Sequence, residues 1–111
     1  MIARSLLRYS CIYTGLDKEI ENNYDAFKFK SPIELKRVYI TNDIQHIYQQ
    51  YNTFPSGEMI LMYDKTYSQP SNLQFSEDER IAFEGVTYQI QTIHVAPFGN
   101  HVELTLERIN G

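Results

Sequence analysis

A chain of 111 residues, 42% hydrophobic and 22% charged with a formal charge of −4, has the length of one domain and removes ~65% of its unfolded surface from water on folding. That supports a single core without a deep, preformed catalytic cleft, which counts against most enzymes, and 14% aromatic residues exclude a disordered chain. The acidic balance, 14 Asp plus Glu against 10 Lys plus Arg, disfavours wrapping of nucleic acid, whose affinity comes from counterion release. One cysteine, Cys11, allows no internal disulfide and fits a reducing compartment. The first residues carry too short an apolar run for a secretory signal, and nowhere do roughly 18 apolar residues follow one another, so the expectation is a soluble, unprocessed chain with no membrane partner.

Without repeats or low-complexity stretches, the organisation is read from hydrophobic periodicity, and the period is mostly two. Leu7, Tyr9, Cys11 and Tyr13 alternate with Arg8, Ser10 and Ile12, which reads as a strand with the first set inward, ended by Thr14-Gly15-Leu16-Asp17. Phe27 and Phe29 alternate with Lys28 and Lys30 before Pro32 and read as a short edge strand. Ile33 and Leu35, then Val38 and Ile40, change parity at Lys36-Arg37, which predicts a bulge. Ile44, Ile47, Tyr48 and Tyr51 fall at i, i+3, i+4 and i+7 after an N-cap at Asn42 or Asp43, so residues 42–56 read as a short helix or a projecting loop. A two-residue turn at Glu84-Gly85 puts Phe83 opposite Val86, Ile81 opposite Tyr88 and Glu79 opposite Ile90. A second hairpin around Pro97 to Asn100 pairs Val95 with Val102, Ile93 with Leu104 and Gln91 with Leu106, leaving His94 opposite Glu103 and Thr92 opposite Thr105 on the outer face. The inward set changes parity between Ile90 and Ile93, so this long strand bulges near Gln91-Thr92. Short bent strands joined by hairpins close into a small all-β, antiparallel, SH3-like barrel, a single domain over residues 1–111.

The chemistry-bearing residues do not converge. His46, His94 and His101 match no zinc spacing, His94 faces Glu103, and Cys11 on an inward position without a base reads as a small buried hydrophobe. Gly85 and Gly99 are turn glycines outside any phosphate-loop context. No catalytic residue, metal or cofactor is therefore expected. Lys28, Lys30, Lys36 and Arg37 beside Phe27 and Phe29 compose the one patch suited to single-stranded nucleic acid, against a plainer reading as a solvated strand face with the Phe rings inward. Tyr48, Tyr51, Tyr63 and Tyr67, near Gln45, Gln49 and Gln50, suit contact with protein, as does Phe98 at a hairpin tip.

Three segments in order carry a resemblance: Asp64-Lys65-Thr66-Tyr67-Ser68-Gln69-Pro70, then Asp78 to Ile90 with its D-x-I-x-F-x-G-x-x-Y-x-I spacing from Glu79 onward, then His101 to Leu106. Together with Leu6-Leu7 and the stretch from Pro32 to Ile40, they are similar to the minor capsid proteins encoded by tailed phages of Gram-positive bacteria. The resemblance implies a head-closure type of barrel, also described as a stopper or head-tail connector. Such a subunit assembles as a homo-oligomeric ring beneath the portal and adaptor, joins head to tail and helps retain DNA that passes its channel without specific binding. It further implies a virion protein at the head–tail interface, assembled in the host cytoplasm, with no enzymatic residues. By position, residues 42–56 match that family's channel loop, which makes Asp43, Gln45, His46, Tyr48, Gln49, Gln50 and Tyr51 candidates for the channel or for contacts between subunits. Tyr63, Tyr67 and Phe98 are the candidates for other partners, and the ring is expected to form through exposed strand edges and tyrosine-rich loops. The alternative is a small nucleic-acid-binding barrel using Lys28, Lys30, Lys36 and Arg37.

Overall fold

The computed structural model describes residues 6–16, 29–42, 59–96 and 100–109. They form six strands: β1 (Tyr9–Thr14), β2 (Ile33–Thr41), β3 (Met59–Asp64), β4 (Arg80–Phe83), β5 (Val86–Val95) and β6 (His101–Arg108). The strands close into an antiparallel barrel in the order β1-β2-β3-β6-β5-β4, with β4 returning to β1. The architecture is all-β, as the period-two pattern requires.

Both carboxy-terminal hairpins have the expected partners. Phe83 faces Val86 and Ile81 faces Tyr88 across a turn whose two central residues, Glu84 (φ 50) and Gly85 (φ 79), both lie in the left-handed region. That is the type I′ turn, whose twist matches the flanking strands. Val95 faces Val102, Ile93 faces Leu104, His94 faces Glu103 and Thr92 faces Thr105. One pair differs from expectation: Leu106 faces Ile90, and Gln91 is the extra residue of the bulge. Placing the bulge at Gln91 lets Ile90 and Ile93 both point inward from a single continuous strand. The parity change in β2 is also a bulge, since Tyr9 faces Val38 while Ser10 faces Lys36, leaving Arg37 unpaired at φ 61.

The barrel interior holds Cys11, Tyr13, Leu35, Val38, Ile40, Leu61, Tyr63, Ile81, Tyr88, Ile90, Val102, Leu104 and Leu106. Each fully buried Leu, Ile or Val contributes about 1.5–3 kcal/mol relative to exposure, so this cluster is the main source of stability. Leu7 is buried but does not belong to it. The chain turns where Arg8 N–H donates to the Leu6 carbonyl (2.9 Å), and Leu7 packs instead on Ile60 and Met62, beside Tyr39 and Tyr67. Those residues lie on the opposite side of β3 from Leu61 and Tyr63, so Leu7 covers the outside of the barrel.

The amino-terminal edge strand expected at Phe27 and Phe29 is not a strand at its described end. Phe29 makes one bridge to Leu16 and is 39% exposed, with the Arg80 guanidinium 4.7 Å from its ring centre. Its ring is therefore not inward. Phe27, Lys28 and residues 43–56, the expected helix or loop, lie outside the described residues.

Candidate interaction surface

The segment between β3 and β4 is tied to the barrel at almost every step. The Asp64 carboxylate accepts the N–H groups of Thr66 (2.9 Å) and Tyr67 (2.8 Å), an Asx turn that starts the loop. The fully buried Ser68 hydroxyl accepts the Asp64 N–H (3.0 Å) and donates to the Arg37 carbonyl. Gln69 and Lys36 exchange both backbone hydrogen bonds (2.8 and 3.0 Å), so the loop adds a short rung beside the β2 bulge. The Tyr63 hydroxyl donates to the Pro70 carbonyl and accepts the Leu73 N–H (2.9 Å), and Gln69–Pro70 is a cis peptide. Phe75 then sets its ring edge-on against Tyr13 and Tyr63, at 5.1 and 5.0 Å between centres. Every buried donor gained this way offsets about 1–3 kcal/mol of desolvation. The loop is a built element with an exposed rim at Gln69, Pro70, Ser71 and Asn72.

A second buried polar centre sits where this segment enters β4. Glu79, 4% exposed, accepts the Tyr13 hydroxyl (2.6 Å), the Ser76 N–H (2.6 Å) and the Leu16 N–H (2.9 Å). Burial, and then the hydrogen bond to this carboxylate, push the Tyr13 phenol well above its ordinary range. A Cβ at Gly15 would stand 3.0 Å from the Tyr13 oxygen and 3.1 Å from Glu79, so the glycine makes room for the carboxylate. These groups line a cavity of about 420 Å³ with Leu16, Lys30 and Leu73. Three donors hold Glu79, which ties β1 and the turn after it to the segment entering β4.

The predicted contact residues fare differently. Tyr63 is fully buried, which corrects its assignment as a partner contact: its ring belongs to the core and its hydroxyl to the loop. Tyr67 is half-buried against Leu7, Ile60 and Met62, with the Arg37 guanidinium 5.0 Å from its ring centre. Asp43, Gln45, His46, Tyr48, Gln49, Gln50, Tyr51 and Phe98 lie outside the described residues. In the closed barrel each of the six strands pairs with two neighbours, and β4 pairs with residues 86–89 of the longer β5 alone.

The basic patch is not assembled as one surface. Lys30 bonds the Gly15 carbonyl beyond the end of β1, whereas Lys36 faces Ser10, six residues and about 20 Å further along an extended chain. Lys36 lies 3.7 Å from Glu34, and Arg37 lies against Tyr67. Lys28 is outside the described residues.

Among the described residues no group of three or more His, Cys, Asp or Glu is placed to hold a metal, and no helix is long and apolar enough to cross a membrane. Burial pushes the Cys11 thiol up to about 12, away from reactivity. His101 and Glu103 lie on the outer side of β6 yet are 6% and 7% exposed, 3.8 Å apart. Burial lowers the His101 pKa first; Asp64 opposes the shift and His94 adds to it. Comparison with protein-family models, with curated proteins and with solved structures found no match for this chain.

Sequence reasoning passed over Glu79 and Ser68. Glu79 had a signal, since the hairpin register sets a carboxylate on the same face as Ile81 and Phe83. Ser68 had a weaker one, the Asp64-x-Thr-Tyr-Ser spacing of an Asx turn.

Proposed function

We propose that this chain is a non-catalytic structural subunit of a tailed-phage connector, forming a ring that joins head to tail and helps close the DNA channel. The observation that carries the reading is the built loop after β3: the Asp64 to Pro70 segment that bears the resemblance is the one the fold fixes through Ser68, Tyr63 and the Gln69–Lys36 rung. A rigid loop on a closed barrel loses little conformational freedom on docking, which suits a part that must fit proteins above and below it. The predicted partners are copies of the chain, the portal or adaptor, and tail proteins. DNA passes without specific contacts, since a net charge of −4 gives phosphate no attractive bore.

The protein is placed in the virion, at the neck, after assembly in the host cytoplasm. Antibody labelling of virions, followed by cryo-electron microscopy of the neck, tests this. Density for the barrel in a ring between portal and tail supports it; density in the baseplate or capsid shell overturns it. The nucleic-acid reading gains nothing from the separation of Lys30, which precedes β2, and Lys36 within it.

A further inference from the structure

Two faces of the barrel wall carry opposite charge, and the strand order sets them opposite each other. In the closed order β1-β2-β3-β6-β5-β4, strands β2 and β5 are three positions apart in a ring of six, which is diametric. On the β2 side, Lys36 and Arg37 stand exposed at the bulge, and exposed Arg8 lies just before the Tyr9–Val38 pair. Among the described residues Glu34 lies 3.7 Å from Lys36, and exposed Glu84 lines a groove with Ser10 and Glu34 at the margin of that face.

On the β5 side, two irregularities lie close together. Asp78 N–H donates to the Ile90 carbonyl while Ile90 N–H donates to Glu79, so two residues oppose one, and the next residue, Gln91, is the β5 bulge. Between them lies a groove of about 470 Å³ lined by Asp78, Gln89, Ile90, Gln91 and Glu107. Its two carboxylates are held in place by amides, Gln89 on Asp78 (2.6 Å) and Gln91 on Glu107. A carboxylate has about four lone-pair sites, so each keeps capacity for an incoming cation. Arg80 on β4 is turned onto Phe29, and exposed Arg108, the residue after Glu107, faces Tyr88 on the opposite side of β6 from the Glu107 carboxylate.

We infer that the β5 groove docks the β2 face of a second copy of this chain, with Asp78 and Glu107 receiving Arg8 and Lys36. The inference rests on the proposed ring and specifies which surfaces build it. The contact is heterologous: one face of each copy meets a different face of the next, so addition continues until the rotation closes. Faces set across a barrel from one another add copies with little turn, which is the geometry of a wide ring or a filament. Side-chain charge is the specificity device these walls offer.

A charge exchange tests this by sedimentation velocity at low salt. The wild-type chain should form oligomers that dissociate as salt rises. Arg8→Glu/Lys36→Glu makes both faces acidic, and Asp78→Lys/Glu107→Lys makes both basic, so each variant alone should stay monomeric. An equal mixture should assemble again, because every junction then pairs opposite charges. All four positions are exposed, and an unchanged circular dichroism spectrum and melting temperature verify that each variant folds. A wild-type chain that stays monomeric at millimolar concentration overturns the contact, whatever occupies the neck. Variants that each assemble as the wild type does, or a mixture that does not recover, overturn the choice of faces and leave a ring standing.

Discussion

Among the described residues two carboxylates are buried, Glu79 and Glu103, on opposite sides of the sheet. Glu79 lies on the core side of the sheet, at the point where the loop enters β4, and gathers three donors from β1, from the turn after it and from its own loop. Glu103 lies on the outer side of β6, beside His101 and opposite His94, in a layer that includes Leu7, Ile60 and Met62. The first acts as a joint between distant parts of the chain. The second belongs to a covering that lies over an already closed sheet. Burial alone therefore says little about what a charged group does; the side of the sheet on which it is buried says more.

The largest effect should come from removing the joint. Glu79→Ala leaves the Tyr13 hydroxyl and two backbone N–H groups without their acceptor, and should cost about 3 kcal/mol or more, read as a lowered urea midpoint. Tyr63→Phe keeps the ring in the core but removes the hydroxyl that holds Pro70 and Leu73, for about 1–3 kcal/mol by the same measurement. Glu103→Ala should cost less, about 1 kcal/mol, since it lies on the outer side of β6, away from the interior cluster. A loss at Glu103 equal to that at Glu79 would erase the distinction.

Acidification separates the two further. His101 is held below its ordinary 6.5 by burial, so between 6.5 and its folded value only the unfolded chain takes the proton. Stability contributed by neutral His101 is complete above 6.5 and is lost as pH falls through that window. His101→Gln should flatten this part of the pH–stability curve, measured by urea titration at several pH values. The smallest effect is kinetic. The Cys11 thiol, buried in the interior cluster with its pKa at about 12, should react with a thiol reagent only on opening. Glu79→Ala should speed that labelling and Glu103→Ala should leave it nearly unchanged.

Much of the wall was readable from residue order. Period two, the Glu84-Gly85 turn and the parity changes at Lys36-Arg37 and near Gln91 gave both hairpins and both bulges, because these are local consequences of which side chains must share a face. Alternation does not say whether the other face is covered. For that reason the alternation points Leu7 inward, and nothing in it signals the burial of His101, Glu103 and Thr105 on the outer side of β6. The joints were hidden for a related cause. Tyr13 and Glu79 are 66 positions apart, and Ser68 reaches Arg37 across 31. No window of neighbouring residues contains both ends of such a bond, and Tyr63, read as a surface aromatic, looks no different in sequence from one committed to the interior.

The seam between β1 and β4 sets a schedule for biosynthesis. Ile12 is made 70 positions before Ala82, the residue it will lie beside. A nascent chain thus carries its first ribbon with one flank bare through most of translation, and the cylinder can shut only when the last strand, β6, has emerged to bridge β3 and β5. Premature partners for that flank, whether another nascent chain or a mispaired segment, compete during this interval, so the yield of folded protein should depend on how quickly the middle of the message is read.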